Sequence, residues 1–199
     1  MNNFIKRTIS GVGFAAIMLA AFLTNKFIFG AVMLFALVVM MWEFLRMTCG
    51  KEYRYSQILS ILAGATLFTL VWLFKGFNFP GRLVILAFVP VFILMINSLY
   101  VKDKSRFNKF ANLYTAIIYI AVPWSVINFA AFDAAGEFNG MLILSFFAII
   151  WGSDVGAYLF GITLGQKYGK KLFPSISPKK SWIGFWGGLL MAIAISVAL

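Results

Sequence analysis

The 199-residue chain is 62% hydrophobic and 12% charged, with 17 Lys and Arg against 6 Asp and Glu and a net charge of +11. Soluble domains run at about 25% charged, so this balance excludes one and indicates an all-α polytopic membrane protein. The basic residues sit in short segments between apolar runs, which argues against a nucleic-acid partner; the single Cys49 and the lack of histidine exclude an internal disulfide, His-based triads and His-ligated zinc.

Lys6 and Arg7 precede an apolar run over residues 9–24. It is predicted to span rather than to be a signal peptide, because no small-x-small cleavage site follows and a second run opens at Phe27 after only Asn25 and Lys26. The two runs form a helical hairpin. The second ends Trp42-Glu43-Phe44-Leu45-Arg46, where Glu43 either snorkels and pairs with Arg46 at i+3 or braces a polar site from a neighbouring helix. Further runs are predicted over residues 56–74, over 83–100 with Pro90 as a kink, over 111–132 with Asn112, Pro123 and Asn128, and over 140–164. A seventh begins at Pro178 and reaches Leu199, 22 residues or about 33 Å of helix. The expectation is one transmembrane domain over residues 1–199 with a cytoplasmic loop at 165–177.

Counting basic residues tests the orientation. With the N-terminus in the cytoplasm, the inside segments hold Lys6, Arg7, Arg46, Lys51, Arg54, Lys102, Lys104, Arg106, Lys109, Lys167, Lys170, Lys171, Lys179 and Lys180. The outside loops hold Lys26, Lys75 and Arg82. Fourteen against three is a strong positive-inside bias.

Two stretches carry candidate chemistry. In Ser177-Pro178-Lys179-Lys180-Ser181-Trp182, Ser177 is expected to cap a helix whose first residue is Pro178. Lys179 and Lys180 then lie in a first turn whose free N–H groups and positive dipole end favour an anion, so a phosphate or polyphosphate would fit there. The same two lysines also suit the plain cytoplasmic flank of a membrane helix. The second stretch, residues 149–161, puts Asp154 about ten residues, or roughly 15 Å, from the cytoplasmic end of its run. An ionisable group at that depth costs at least about 2.5 kcal/mol unless it faces a wet cavity, a cation or a partner. Asp154 is therefore a site candidate, the alternative being a structural hydrogen bond to a neighbouring helix. Gly152, Gly156, Gly161 and Gly165 allow close helix approach. A carboxylate for a divalent metal beside a loop with Lys167, Lys170, Lys171, Lys179 and Lys180 suits a nucleotide or lipid phosphate handled at the membrane surface.

The segment Ser153-Asp154-Val155-Gly156-Ala157-Tyr158, then Ile176-Ser177-Pro178-Lys179-Lys180-Ser181-Trp182-Ile183-Gly184 and Gly187-Gly188, resembles the phosphatidate cytidylyltransferase (CDP-diacylglycerol synthase) family. The early Lys6-Arg7-Thr8-Ile9 and the Trp42–Arg46 helix end are similar to that family's opening. The resemblance implies an inner-membrane enzyme that condenses phosphatidic acid with CTP, assisted by Mg²⁺, to give CDP-diacylglycerol and pyrophosphate. It further implies that Lys179, Lys180 and Lys167 bind phosphate, that Ser177 caps and contacts it, and that Asp154 holds a cation or orders the pocket. Glu43, Gly156 and Pro178 would be structural. The expected partners are CTP, phosphatidic acid, the bilayer and a second copy of the chain. The family's downstream signature, with its histidine-containing turn and metal-binding aspartates, is absent from these residues. The expectation is a truncated member or a degenerate homologue with little activity alone. Two readings from other classes remain: a non-catalytic protein that docks anionic lipid, as scaffold or transporter, and a CTP-dependent lipid or polyprenol kinase.

Overall fold

A computed structural model describes residues 3–101 and 107–199, with side chains described from Ile9 onward except at Ser10. The side chains of Lys6 and Arg7, and all of Lys102, Asp103, Lys104 and Arg106, lie outside the described residues. The chain divides into two compact units, residues 1–140 and 141–199.

In the first unit, α1 (Asn3–Leu23) and α2 (Lys26–Cys49) form the expected tight hairpin. Asn25 makes the turn by capping α2, its Oδ1 accepting from the N–H groups of Phe27 and Ile28 at 3.0 Å each. Phe29, Met33, Leu37, Met41, Leu45 and Cys49 recur every four residues along α2, which is one helix face, and all are buried. α3 (Arg54–Phe77) packs on that face. Its start is held by Gln57, whose Nε2 donates to the carbonyls of Gly50 at 3.2 Å and Glu52 at 2.6 Å.

A 3-10 segment, Gly81–Ala87, runs into α4 (Phe88–Leu99), so Pro90 falls in the first turn of the α-helix, where its missing N–H costs nothing. The next apolar run comprises a 3-10 turn (Phe107–Phe110), α5 (Ala111–Ala116), a π turn (Ile117–Ala121) and α6 (Val122–Ala131). The widened turn precedes Pro123, which cannot donate to the ladder. Two polar side chains in this unit tie helices together through backbone carbonyls: Ser60 Oγ donates to Leu113 O at 2.7 Å and Trp124 Nε1 to Met33 O at 2.8 Å. Glu43 is exposed, and among the described residues no ion pair joins it to Arg46, whose guanidinium lies 5.4 Å from the Trp42 ring centre.

The second unit contains α7 (Met141–Phe160), a π turn (Gly161–Gly165), α8 (Gln166–Tyr168), β1 (Lys171–Phe173), β2 (Ser177–Ser181) and α9 (Trp182–Ala198). The region expected as a loop at 165–177 is therefore mostly structured: the helix persists to Tyr168, and a hairpin follows.

The hairpin corrects the reading of the Ser177-Pro178 stretch. Ser177 does not cap a helix and Pro178 is not a first helical residue; both are extended, with Lys179 and Lys180, in β2. The cap is Ser181, whose Oγ accepts from the Gly184 N–H at 3.2 Å, so α9 has 17 residues rather than 22. Electrostatics explains the choice, because a helix begun at Pro178 would put two ammonium groups on its own positive end. Pairing with β1 instead gives that backbone other partners. Lys171 pairs with Ser181 and Phe173 with Ser177, so β2 bulges over residues 178–180, a stretch that includes Pro178, which has no N–H to offer the ladder.

Five helical segments among the described residues are long and apolar enough to cross a membrane: 26–49, 54–77, 81–99, 107–131 and 141–168. Shorter apolar helices cover 11–23 and 182–198. With Phe35, Leu99 and Tyr119 each at least 72% exposed, the apolar surface is that of a lipid-facing, all-α polytopic membrane protein.

Candidate functional site

The second unit encloses a cleft of about 930 Å³. α7 builds one wall. Asp154, Ala157, Tyr158 and Gly161 stand at i, i+3, i+4 and i+7, so the helical period alone puts them on one face, and all four line the cleft. α9 supplies Gly184 and Phe185, β1 supplies Leu172, and β2 supplies Ser177, Lys179, Lys180 and Ser181.

Close packing of α7 on α9 sets this geometry. A Cβ on Gly188 would sit 2.9 Å from the Ser153 carbonyl oxygen, and one on Gly156 would sit 2.8 Å from that of Gly187. These distances leave no room for a side chain, so the backbones of the two helices touch.

Of the candidates drawn from sequence, Asp154, Ser177, Lys179 and Lys180 come together on the cleft. Asp154 and both lysines are exposed within it. Lys167 lies on α8 and does not line it, nor do Lys170 and Lys171. Lys171 is engaged elsewhere, its Nζ donating to Gln166 Oε1 at 3.0 Å.

Gln166 was not visible as a site residue in the sequence. Its Nε2 donates to the Lys179 carbonyl at 2.8 Å, fastening the bulged strand to the start of α8. Nothing local marks it, because the contact spans thirteen positions. Tyr158 and Phe185 were also missed as lining residues; the i+4 relation to Asp154 carries the signal for Tyr158. Ser181, 3% exposed, ends β2 and starts α9, while the Trp182 N–H donates to the Lys170 carbonyl at 3.0 Å. Ser181→Ala is expected to cost about 1 kcal/mol as a lost N-cap, read as a lower melting temperature in detergent, with Ser181→Thr retaining most of the stability.

Two ammonium groups and one carboxylate line the cleft, giving it a net positive charge with a single anionic spot. That distribution of charge is complementary to an anion such as a polyphosphate. Asp154 is the only carboxylate among the lining residues, which suits a hard cation such as Mg²⁺ that takes one protein carboxylate and completes its shell with phosphate oxygens and water.

The fold and the cleft thus define an integral membrane protein with a basic cleft set between two apolar helices. The Cytidylyltransferase family model matches residues 5–199, and the chain belongs to that family. It is 29% identical to a phosphatidate cytidylyltransferase of Bacillus subtilis, over 98% of this chain and 71% of the relative. A phosphatidate cytidylyltransferase of Staphylococcus epidermidis is 35% identical over 92 residues, 46% of this chain and 34% of the relative. One of Rickettsia bellii is 40% identical over 80 residues, 40% of this chain and 32% of the relative. The matched part therefore spans about a third of the length of the last two. No solved structure matches the chain.

Proposed function

We propose that the protein takes part in making CDP-diacylglycerol from CTP and phosphatidic acid in a bacterial inner membrane, with its N-terminus in the cytoplasm. The observation that carries this reading is the meeting of Asp154 with Ser177, Lys179 and Lys180 on one cleft between two apolar helices. The family membership and the names of the relatives support the same chemistry. The basic residues of the predicted inside segments support the orientation.

In the reaction, a phosphate oxygen of phosphatidic acid forms a bond to the α-phosphorus of CTP. The bond from that phosphorus to the oxygen bridging to the β-phosphorus breaks, and pyrophosphate leaves with the electron pair. Lys179 and Lys180 bind the triphosphate and offset charge that moves onto the leaving pyrophosphate, while Ser177 donates a hydroxyl hydrogen bond to the same group. Asp154 would hold Mg²⁺. When bound, that ion supplies positive charge that neutralises the phosphate oxygens.

The test is to incubate membranes from cells expressing the complete gene with labelled CTP and phosphatidic acid. Labelled CDP-diacylglycerol with release of pyrophosphate is expected; a phosphorylated lipid alcohol with CDP, or no product beyond that of empty membranes, would contradict the reading. Lys179→Ala is expected to raise the KM for CTP about tenfold or more, the loss of one charge-assisted hydrogen bond.

A further inference from the structure

The hairpin of the second unit turns through Phe173-Pro174-Ser175-Ile176, with the Ile176 N–H donating to the Phe173 carbonyl at 3.2 Å. Turns at loop tips are ordinarily polar, yet this one leaves Ile176 83% exposed and Phe173 56% exposed. Neither belongs to the cleft lining. Lys170 and Lys171 lead into the hairpin, Lys179 and Lys180 lead out of it, and no acid occurs from 166 to 181.

Covalent connection limits where this tip can be. β1 begins three residues after Tyr168, the end of a membrane-length helix, and β2 runs directly into the apolar α9. The first turn and a half of α9 exposes Trp182 and Trp186, which flank Phe185 in edge-to-face contacts. Exposed tryptophans at a helix end are characteristic of the level where headgroups meet acyl chains. The hairpin is therefore held at the membrane surface by both of its ends.

We propose that this tip is an interfacial anchor: Phe173 and Ile176 seat among the lipids of an anionic leaflet, and Lys170 and Lys171, which lead into the hairpin and do not line the cleft, pair with lipid phosphates. Apolar side chains framed by cations match a surface that is apolar below and negative above. Two side chains make too small a patch for a stable protein interface, and the charge is of one sign, so the bilayer is the occupant the observations favour. The anchor concerns the face of the hairpin away from the cleft and holds whatever reaction the cleft supports.

The test uses the complete protein carrying Cys49→Ala with Ile176→Cys, labelled with bimane and placed in nanodiscs of phosphatidylcholine with or without phosphatidylglycerol; Phe173→Cys serves as the second labelling position. With brominated lipid in the disc, about half or more of the emission is expected to be lost, with little quenching by aqueous iodide, as for a side chain seated in the interface. The loss is expected to be greater with phosphatidylglycerol and to shrink in Lys170→Gln/Lys171→Gln. Quenching by iodide and not by lipid puts the tip in water and overturns the proposal. Protection from both quenchers means that protein covers it, and this overturns the proposal equally. A loss independent of phosphatidylglycerol overturns the pairing of the lysines with anionic lipid.

Discussion

Asparagine at position 154 is expected to lower the rate of CDP-diacylglycerol formation by roughly two to three orders of magnitude, the usual cost of removing one preorganised electrostatic group from a reacting phosphate. Asp154→Asn keeps the shape of the side chain and removes only its charge. The group is exposed on the cleft and is its one carboxylate, so the variant should fold and insert as the parent does. The loss should fall mainly on kcat, with a higher Mg²⁺ concentration needed for half-maximal rate, because the carboxylate is assigned to the cation rather than to the nucleotide. Asp154→Glu should recover part of the rate, since the charge returns at a displaced position. An asparagine variant with unchanged kcat and an unchanged Mg²⁺ requirement would remove Asp154 from the mechanism and leave the lysines as a binding surface only.

The apolar runs were legible because lipid imposes one rule along the whole chain: a spanning helix must be long and apolar, and its ends must be polar. The short break at Asn25 follows from that rule, and the helical period puts Tyr158, which the residue types do not single out, on the same face as Asp154. The β-hairpin follows from neither. Ser177-Pro178 and Ser181 are each competent helix starts, and five residues reading Ser-Pro-Lys-Lys-Ser show no alternation of apolar and polar groups that would mark a strand. What decides between them is the pairing of Lys171 with Ser181 and the Gln166 bond to the Lys179 carbonyl, contacts across ten and thirteen positions. The lysines nonetheless reach the cleft, although the helix start, and with it the positive dipole end, lies at Ser181 rather than at Ser177. Their effect on phosphate comes from charge and from the bulge that presents them, and the free N–H groups of a helix end play no part at Lys179 and Lys180.

Leucine at position 156 is expected to abolish activity through the fold rather than through the chemistry. A Cβ at Gly156 would lie 2.5 Å from Met191 Cγ and 2.8 Å from the Gly187 carbonyl oxygen, and the second of these is backbone that no rotamer change can move aside. The rest of a leucine side chain would have to enter the same space. α7 and α9 must then separate, and the walls that carry Asp154 and Phe185 separate with them. Overpacking of this kind costs about 1–3 kcal/mol, a large part of the stability of a unit built on one helix pair. Gly161→Ala supplies the contrast, because a Cβ there meets its nearest atom, the Gly184 Cα, at 3.9 Å, ordinary contact distance. It is expected to retain the parent's stability, since the added methyl meets only ordinary contacts and alanine favours a helix over glycine. Thermal unfolding in detergent separates the two, with Gly156→Leu melting well below the parent and Gly161→Ala close to it. Equal melting temperatures would mean that the helices meet elsewhere than at Gly156 and Gly187, and that the cleft owes its shape to some other contact.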